Sequence, residues 1–421
     1  MNSIEQRYRA RTPASAATGA RAARVMPGGD TRSVTYYSPY PLTIARGQGP
    51  FLWDIDGNRY IDLLGNYTSL VHGNAYPPMV EAIARASAQG TAWPARNQAQ
   101  IELAELICER VASVERVRFC NSGSEAGMLA AQLSRRVTGR RQLLMARQGY
   151  HGSYDDLEAE WAGEGGRTML AEYGDAASFE MMLARHGGEI AAVFLEPILG
   201  SSGIIAPPPD FLPRVAEAAR RAGALFVTDE VITLRLGTGG AQAAAGIAPD
   251  LTMMGKIIGG GLPVGALGGR ADLMAHFDPA EEHPMHHSGT FNGNPLTCAA
   301  GVVSVRELSA ERIAAMDRMA ARMQAEMERA ATGLGLPFGM RRAGSLLNVT
   351  FGASRPGSVH APAAQMMENF HLAALNEGLF FAPRGLIALS TVMTDDLITE
   401  ICERAAAALG EVVKEIEIMG K

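Results

Sequence analysis

Lys256 is the residue of this chain best suited to act as a nucleophile. All but three of the 38 basic residues are arginine, and the other two lysines, Lys414 and Lys421, lie at the C-terminal end. Arginine stays protonated in proteins, whereas a partly buried lysine can lose its proton, attack a carbonyl carbon and form a Schiff base. The apolar run from Leu251 to Met254 predicts a buried strand that ends just before Lys256, which favours this role over that of a solvated surface lysine.

An acid that could assist such a lysine is Asp229, which follows a second predicted buried strand, Leu225 to Thr228. The interval between Asp229 and Lys256 allows one crossover and a return to the adjacent strand, so both side chains are expected at the same edge of a sheet. A carboxylate there can keep the nitrogen of a pyridine ring protonated, so that electrons released at a substrate carbon flow into the ring. Taken by itself, Asp229 could equally be a loop or capping acid.

A phosphate site is predicted at Ser122-Gly123-Ser124. These residues precede a predicted helix from Glu125 to Val137 and offer hydroxyl and backbone N–H groups at the positive end of its dipole. Serine and glycine also begin helices as caps alone. Tyr150 and Val231 could cover the two faces of a flat ring by stacking and by apolar contact. With the lysine and the aspartate, these residues form a set that would suit pyridoxal phosphate.

Short apolar runs alternate with helical segments between about residues 115 and 270, which predicts a mostly parallel sheet covered by helices on both faces. The predicted strands are Val117–Cys120, Gln142–Ala146, Ala191–Leu195, Leu225–Thr228 and Leu251–Met254. A helix is expected from Phe211 to Ala222, with Asp210 as its N-cap and Gly223 as its end. The candidate site residues follow the carboxyl ends of these strands, where open parallel sheets bind ligands.

A smaller α+β domain is predicted after about residue 295. Its long helices and strand-like runs are Ala310–Ala331, Leu346–Phe351, Ala363–Gly378 and Leu386–Ser390. The segment Phe51 to Leu64, with a hairpin signal at Asp56-Gly57, is expected to join this part of the chain. The predicted domains are therefore an N-terminal segment of the small domain (1–66), a large domain (67–308) and the C-terminal small domain (309–421).

Composition narrows the class of partner. A chain of 421 residues with 47% hydrophobic residues can bury a large core, and its net charge of −6 gives no field that attracts nucleic acid or anionic lipid. A small-molecule partner is expected. Four widely spaced cysteines without a CxxC pair argue against a disulfide framework and favour a reducing cytoplasm. The sequence shows no signal peptide, and no apolar run is long enough to span a membrane.

Two other patterns carry competing interpretations. The glycine-rich run from Gly259 to Gly269 has the composition of a dinucleotide fingerprint, but Pro263 and the lack of a following amphipathic helix favour a turn and strand near the lysine. His283, His286 and His287 suggest a metal site, but their loop-like surroundings give no rigid ligand geometry, and no metal is expected.

Taken in order, the motifs of this chain resemble those of the class III pyridoxal-phosphate aminotransferases. The motifs, which span essentially the whole chain, are Asn121-Ser122-Gly123-Ser124-Glu125-Ala126, Tyr150-His151-Gly152, Glu196-Pro197, Asp229-Glu230-Val231, Gly255-Lys256 and Ser288-Gly289-Thr290-Phe291-Asn292-Gly293-Asn294-Pro295. Val25 to Gly29 and Gly259 to Gly269 resemble the branch that contains glutamate-1-semialdehyde aminomutase. Thr31 to Val34 and Pro41 to Gly47 are more similar to β-amino-acid aminotransferases, notably those acting on β-phenylalanine.

The resemblance implies an α/β, fold-type-I architecture and a homodimer with an active site at each subunit interface. It makes Lys256 the Schiff-base residue and Asp229 the partner of the pyridine nitrogen. Around them it places the phosphate ligands Ser122, Gly123 and Ser124, the ring contacts Tyr150 and Val231, the pocket residue Glu196, and Thr290, which would reach the phosphate of the neighbouring subunit. The chain departs from many amine-specific members at Ile232, where they have glutamine, and its lid segment, Ser153 to Tyr173, is short and charged.

The expected reaction is a ping-pong transfer of an amino group from a β-amino acid or related amine to a keto acid such as 2-oxoglutarate or pyruvate. A planar guanidinium binds a carboxylate at two points. Arg32 matches the family position that holds the β-carboxylate, and Arg384 resembles the mobile arginine that meets the acceptor; a surface salt bridge is the alternative for each. Competing hypotheses are an aminomutase, a non-catalytic cofactor-binding module and an NAD-dependent enzyme.

Overall fold

The computed structural model of this chain describes residues 2–158, 166–352 and 361–419. It divides into two compact units, Pro77–Ala310 and Met1–Tyr76 with Glu311–Lys421. The domain boundaries proposed from the sequence, after residues 66 and 308, stay a prediction. Within the described ranges no helix is both long and apolar enough to cross a lipid bilayer.

The elements are numbered in chain order. The helices are α1 (Ser3–Arg11), α2 (Pro13–Ala22), α3 (Pro77–Ser87), α4 (Gln98–Arg110), α5 (Gly123–Thr138), α6 (Ala176–His186), α7 (Phe211–Ala222), α8 (Gly240–Ala244), α9 (Ala271–Met274), α10 (Pro295–Glu307), α11 (Ala310–Gly333), α12 (Ala361–Asn376) and α13 (Asp395–Met419). The strands are β1 (Ile44–Gln48), β2 (Phe51–Asp54), β3 (Arg59–Asp62), β4 (Arg116–Cys120), β5 (Gln142–Ala146), β6 (Thr168–Ala171), β7 (Ile190–Leu195), β8 (Leu225–Asp229), β9 (Leu251–Gly255), β10 (Gly265–Gly269), β11 (Phe338–Ala343), β12 (Leu346–Phe351), β13 (Leu379–Phe380) and β14 (Leu386–Ala388).

The unit formed by Pro77–Ala310 is built on a seven-stranded sheet in the order β4-β10-β9-β8-β7-β5-β6. The neighbouring pairs from β9 to β6 are parallel, whereas β10 runs antiparallel to both β9 and β4. The predicted α/β class with a mostly parallel sheet is confirmed. The run from Gly259 to Gly269 forms a turn and the strand β10, as the sequence indicated.

Alternate residues of the strands enter two hydrophobic cores, one on each face of this sheet. Leu143 and Met145 of β5 pack in the core that includes Leu129 and Leu133 of α5. Leu144 of β5 packs instead in the core formed with helices α6 and α7. Every residue of β7 is buried, as expected for a central strand covered on both faces.

The predicted strands of this sheet are present, each within one residue of its predicted ends. Helix α7 has the predicted bounds and ends where Gly223 adopts a left-handed φ of 66°. The prediction that Asp210 caps this helix through its side chain is wrong. Its backbone is helical and its carboxylate makes no cap bond, because it accepts from Arg214 Nη1 one turn further on (3.2 Å).

The other unit contains two small sheets, in the orders β1-β2-β3-β13 and β11-β12-β14. Strands β2 and β3 form the hairpin expected at Asp56-Gly57, with Gly57 at a φ of 89°. Strand β3 then pairs in parallel with β13, so this hairpin shares a sheet with a C-terminal strand.

Candidate active site

The predicted phosphate site lies where β4 ends and α5 begins. Ser122 is the N-cap of α5, and its hydroxyl accepts from the backbone N–H of Glu125 (3.1 Å). The Glu125 carboxylate reaches back and accepts from the backbone N–H of Asn121 (2.8 Å). These two bonds fix the first turn and leave the N–H groups of Gly123 and Ser124 without intrahelical acceptors, the usual geometry of an anion site. The helix thus begins at Gly123, two residues before the predicted start.

Val231 and the end of β9 lie against this turn. A methyl group built on Gly123 would come within 3.1 Å of Val231 Cγ2, and one built on Gly255 would lie 3.4 Å from Val231 Cγ1 and 3.7 Å from the Gly123 nitrogen. Only glycine therefore fits at Gly123 without displacing Val231. The structure brings the predicted phosphate turn, the predicted ring contact and the residue before Lys256 into one place.

Asp229 is the last residue of β8 and is almost fully buried, with 6% of its surface exposed. Its Oδ1 accepts from the backbone N–H of Val231 (2.9 Å), and its Oδ2 lies 3.0 Å from Nδ1 of His151. His151 is a site residue that the sequence reasoning missed. The signal was its place between Tyr150 and Gly152 after a predicted strand, but only the fold shows that it meets Asp229.

Lys256 follows directly on β9 and is partly buried. Loss of water around its amine lowers the pKa of Lys256, while the negative charges of Asp229 and Glu196 act in the opposite direction. The lowered pKa increases the share of uncharged, nucleophilic amine. The Lys256 backbone has a φ of +49°, a left-handed conformation that side chains with a Cβ adopt at a cost and that is common at functional sites.

Glu196 follows β7 and is buried, with 5% of its surface exposed. One carboxylate oxygen accepts from the backbone N–H of Tyr150 (3.2 Å) and the other from that of Gly200 (2.8 Å). Burial, more than the nearby Asp229, raises the pKa of Glu196 to about 7. Ile232 packs directly over Gly200, so an apolar side chain covers this carboxylate where many relatives have an amide.

The aromatic side chain predicted to stack on the ring is accessible. Tyr150 is 45% exposed, and its hydroxyl lies 3.0 Å from Oγ of Ser153. Ser124 Oγ accepts from the backbone N–H of Ser153 (3.1 Å), so the chain after Tyr150 folds over the start of α5. Residues 159–165, the centre of the predicted lid from Ser153 to Tyr173, lie outside the described residues.

Thr290 lies in an exposed turn just before α10, and its contact with a neighbouring subunit stays a prediction. The nearby His287 is held by side chains rather than poised as a metal ligand. Its Nδ1 accepts from Nε of Arg118 (2.9 Å), and its Nε2 lies 3.2 Å from the amide of Asn292. In the described part of the chain, no three histidine, cysteine, aspartate or glutamate side chains form a group that could hold a metal ion.

Arg32 and Arg384 belong to the other unit and are exposed. Arg32 donates to Oδ1 of Asn66 (2.8 Å), and its guanidinium lies 5.7 Å from the ring centre of Tyr67. Burial raises the pKa of Tyr67, and the positive charges of Arg32 and Arg384 both oppose that rise. The two arginines therefore act on one tyrosine.

Arg32 and Tyr67 also line a cavity of about 240 Å³ within this unit. Its other walls are mostly apolar and include Leu52, Leu64 and Phe381. The backbone of Asn66, Tyr67 and Thr68 is left-handed throughout, with φ of 48°, 54° and 76°. Such a run is unfavourable for residues with a Cβ, and strain of this kind concentrates at ligand sites.

Comparison with known proteins gives a consistent family. The pattern of the family Aminotransferase class-III matches residues 33–159 and 168–409. A beta-phenylalanine transaminase from Variovorax paradoxus is 39% identical over 423 residues, covering 97% of this chain and 94% of that protein. A glutamate-1-semialdehyde 2,1-aminomutase from Rhodopirellula baltica is 38% identical over 356 residues, covering 80% of this chain and 81% of that protein.

Solved structures agree. One described as a transaminase with PLP bound superposes with a TM-score of 0.91 at 34% sequence identity, covering 96% of this chain and 99% of that one. The family resemblance inferred from the motifs is confirmed over nearly the whole length. The chain belongs to the class III aminotransferases, the pyridoxal-phosphate-dependent family whose motifs it carries in order.

Proposed function

We propose that this aminotransferase uses Lys256 and Asp229 to move an amino group from a β-amino acid with an apolar or aromatic side chain to a keto acid. The observation that carries the site assignment is the pairing of a lysine amine of lowered pKa with a buried carboxylate at the carboxyl edge of one sheet. An uncharged amine and an ionised acid are the two groups that this chemistry requires.

The residues present fit pyridoxal phosphate. The start of α5 offers N–H and hydroxyl groups in a space that a side chain at Gly123 would fill. When bound, the cofactor supplies an aldehyde for a primary amine and a ring that accepts the electron pair released at the carbon bearing that amine. Ser122, Gly123 and Ser124 would hold its phosphate. Tyr150 and Val231 would cover the faces of its ring, with Glu196 beside them.

The protein's own groups then divide the work. Asp229, ionised and buried, holds a proton at the ring nitrogen. The uncharged amine of Lys256 takes the proton from the amine-bearing carbon and returns it on the other side of the transfer. Val231 and Ile232, both apolar, limit water near the reacting atoms and so strengthen these interactions.

The donor assignment is supported by Arg32 and the cavity next to it. A guanidinium beside mostly apolar walls suits a molecule with a carboxylate at one end and an apolar side chain at the other. The first-named relative, a beta-phenylalanine transaminase, has such a donor in its name. We assign the acceptor carboxylate to Arg384, with 2-oxoglutarate and pyruvate as candidate acceptors.

An aminomutase is the second candidate, because the second relative named above carries that activity in its name. The two functions differ in one measurable respect. An aminomutase turns over a single substrate without any added keto acid, whereas the proposed transferase requires a donor and an acceptor together. A panel of α-amino acids, β-amino acids and simple amines, each with and without 2-oxoglutarate or pyruvate, separates them.

We also propose a cytoplasmic homodimer. Three large aromatic side chains of the unit Pro77–Ala310 are exposed: Trp93 (41%), Tyr150 (45%) and Phe291 (61%). Exposed aromatic residues of this size are enriched at protein interfaces. The four cysteines are all unpaired, which suits a reducing compartment. Sedimentation of a single species at monomer mass would contradict the dimer.

The cofactor assignment has a direct test. Borohydride reduction of the protein incubated with pyridoxal phosphate should fix the cofactor covalently on Lys256, as found by peptide mass spectrometry. Lys256→Arg should abolish the label and the activity. Lys414→Arg, at an exposed position in α13, is the matched control and should keep both. A label confined to Lys414 or Lys421, or no label at all, would contradict the proposal.

A further inference from the structure

His151 is a buried histidine with no role in the steps above. Its side chain is fully enclosed, and its Nδ1 lies 3.0 Å from Oδ2 of Asp229. The ring of Phe194 packs at 5.8 Å between ring centres. A methyl group built on Gly149 would lie 3.1 Å from Nε2, so the backbone of Gly149 closes the far side of the ring. The imidazole has little freedom to turn.

The surroundings of the two ring nitrogens decide where the proton lies. An ionised carboxylate is only an acceptor, so the contact with Asp229 requires a proton on Nδ1. Nε2 is buried and meets no hydrogen-bonding partner among the described residues. A buried N–H without an acceptor is costly and rare, which disfavours a second proton there. His151 is therefore neutral, protonated on Nδ1, and a donor to Asp229.

This donor acts against the forces that would neutralise Asp229. The carboxylate is buried, and a second carboxylate, Glu196, shares its surroundings. Burial and a like charge both favour the protonated acid. Against them stand the backbone N–H of Val231 on Oδ1, the His151 N–H on Oδ2, and the amine of Lys256. Each carboxylate oxygen thus receives one donor, and these two bonds also fix the plane of the carboxylate.

We propose that His151 is a positioning residue for the transfer reaction: its Nδ1–H orients the Asp229 carboxylate and keeps it ionised for the ring nitrogen of the bound cofactor. This inference deepens the proposed function and rests on it. His151 itself touches neither substrate nor cofactor in this account. It acts through Asp229.

Two substitutions separate the hydrogen bond from the packing. His151→Asn can place an amide N–H near the position of Nδ1, whereas His151→Leu fills much of the space without a donor. We expect His151→Leu to weaken pyridoxal phosphate binding and to lower kcat by about 10- to 100-fold each, the usual effect of removing a hydrogen bond to a buried charge. His151→Asn should recover most of both. The KM of the donor should change little in either variant.

A readout independent of turnover is the absorption spectrum of the bound cofactor across pH. His151→Leu should shift its titration by about one pH unit relative to wild type, and His151→Asn should not. His371→Leu, which removes another buried histidine in the unit without the lysine, controls for lost packing: it should lower the melting temperature and leave the spectrum unchanged.

The outcomes distinguish the two levels of the argument. Wild-type protein that binds no pyridoxal phosphate would end the proposed function itself. Wild-type protein that binds it, with a His151→Leu variant of unchanged spectrum and affinity, would overturn only the role of His151. An Asn variant as impaired as the Leu variant would also overturn it, because the effect would then follow packing and not the N–H donor.

Discussion

Arg32 combines three features at the scale of a single residue. Its guanidinium is exposed, lines the cavity and is held by Asn66 and Tyr67 in a stretch of left-handed backbone. An arginine that served only as a surface charge would need neither the cavity nor the fixed partners, since exposed ion pairs contribute little to stability. The arrangement instead prepares a guanidinium to receive a carboxylate from a ligand.

Removing that guanidinium should therefore affect one substrate more than the other. We expect Arg32→Ala to raise the KM of the β-amino-acid donor by about 10- to 100-fold, the range for a lost hydrogen bond between charged groups. The KM of the keto acid should change by less than about threefold. Arg46→Ala removes an exposed arginine of β1 that stacks on Trp53, and serves as the control. Equal effects on both substrates would remove Arg32 from the donor site.

The sequence shows the identity of such residues more readily than their partners. Lys256 and Asp229 could be selected because each follows an apolar run, a local pattern. The contact between His151 and Asp229 joins residues 78 positions apart and depends on the order of the strands. The error at Asp210 has the same origin, because the competing partner Arg214 lies on the helix itself and local patterns do not rank the two bonds.

At the scale of elements, the start of α5 depends on the strand beside it. β10 is paired with β4 and β9, and Gly265 faces Cys120 on one side and Gly255 on the other. A methyl group built on Gly265 would overlap the carbonyl oxygen of Ser122 and come within 2.8 Å of the Cys120 sulfur. The glycine-rich strand is what allows the phosphate turn to lie so close to the sheet.

We therefore expect Gly265→Ala to displace Ser122 and its neighbours. The free energy of unfolding should fall by about 1–3 kcal/mol, the range for overpacking, and the affinity for pyridoxal phosphate should fall with it. Denaturant unfolding and fluorescence titration measure the two effects. Gly188→Ala is the matched control, because a methyl group there meets nothing within 4 Å. A Gly265→Ala variant that behaves like Gly188→Ala would show that the turn adjusts freely.

Element prediction succeeded where burial alone decides the pattern. The apolar runs indicated each parallel strand, and helical spacing indicated α7. The antiparallel insertion of β10 between β4 and β9 was not predicted, because a glycine-rich strand has no side chains to give a periodic signal. The start of α5 at Gly123 was missed because Ser122 and Glu125 cap it jointly, which moves the first turn forward.

At the scale of the whole molecule, two buried carboxyls tie stability to pH. Glu196 and Glu230 each have a pKa raised to about 7, with burial as the main cause. Glu230 is fully buried and accepts from the backbone N–H groups of Ala241 (3.1 Å) and Gln242 (2.6 Å) at the start of α8. A net charge of −6 makes no comparable local demand, because its exposed charges are screened.

The sign of the effect follows from the protons bound in each state. The folded protein keeps a proton on Glu196 up to about pH 7, whereas the unfolded chain releases it near the ordinary pKa of 4.5. Between these values the folded state binds more protons, so its stability falls as the pH rises and then levels off above about pH 7. A shift of this size corresponds to at most about 3 kcal/mol.

We expect Glu196→Gln to reduce the stability lost by the cofactor-free protein between about pH 5 and pH 8, measured by denaturant unfolding. The glutamine carries no titrating proton, although it gives up one of the two N–H bonds, so the change with pH is the informative quantity and not the absolute stability. Glu230 remains and should keep part of the dependence. Glu282→Gln, at a side chain 91% exposed, should leave the profile as in wild type. A Glu196→Gln profile parallel to that of wild type would mean that Glu196 stays ionised in the fold, and that its two backbone N–H bonds outweigh its burial.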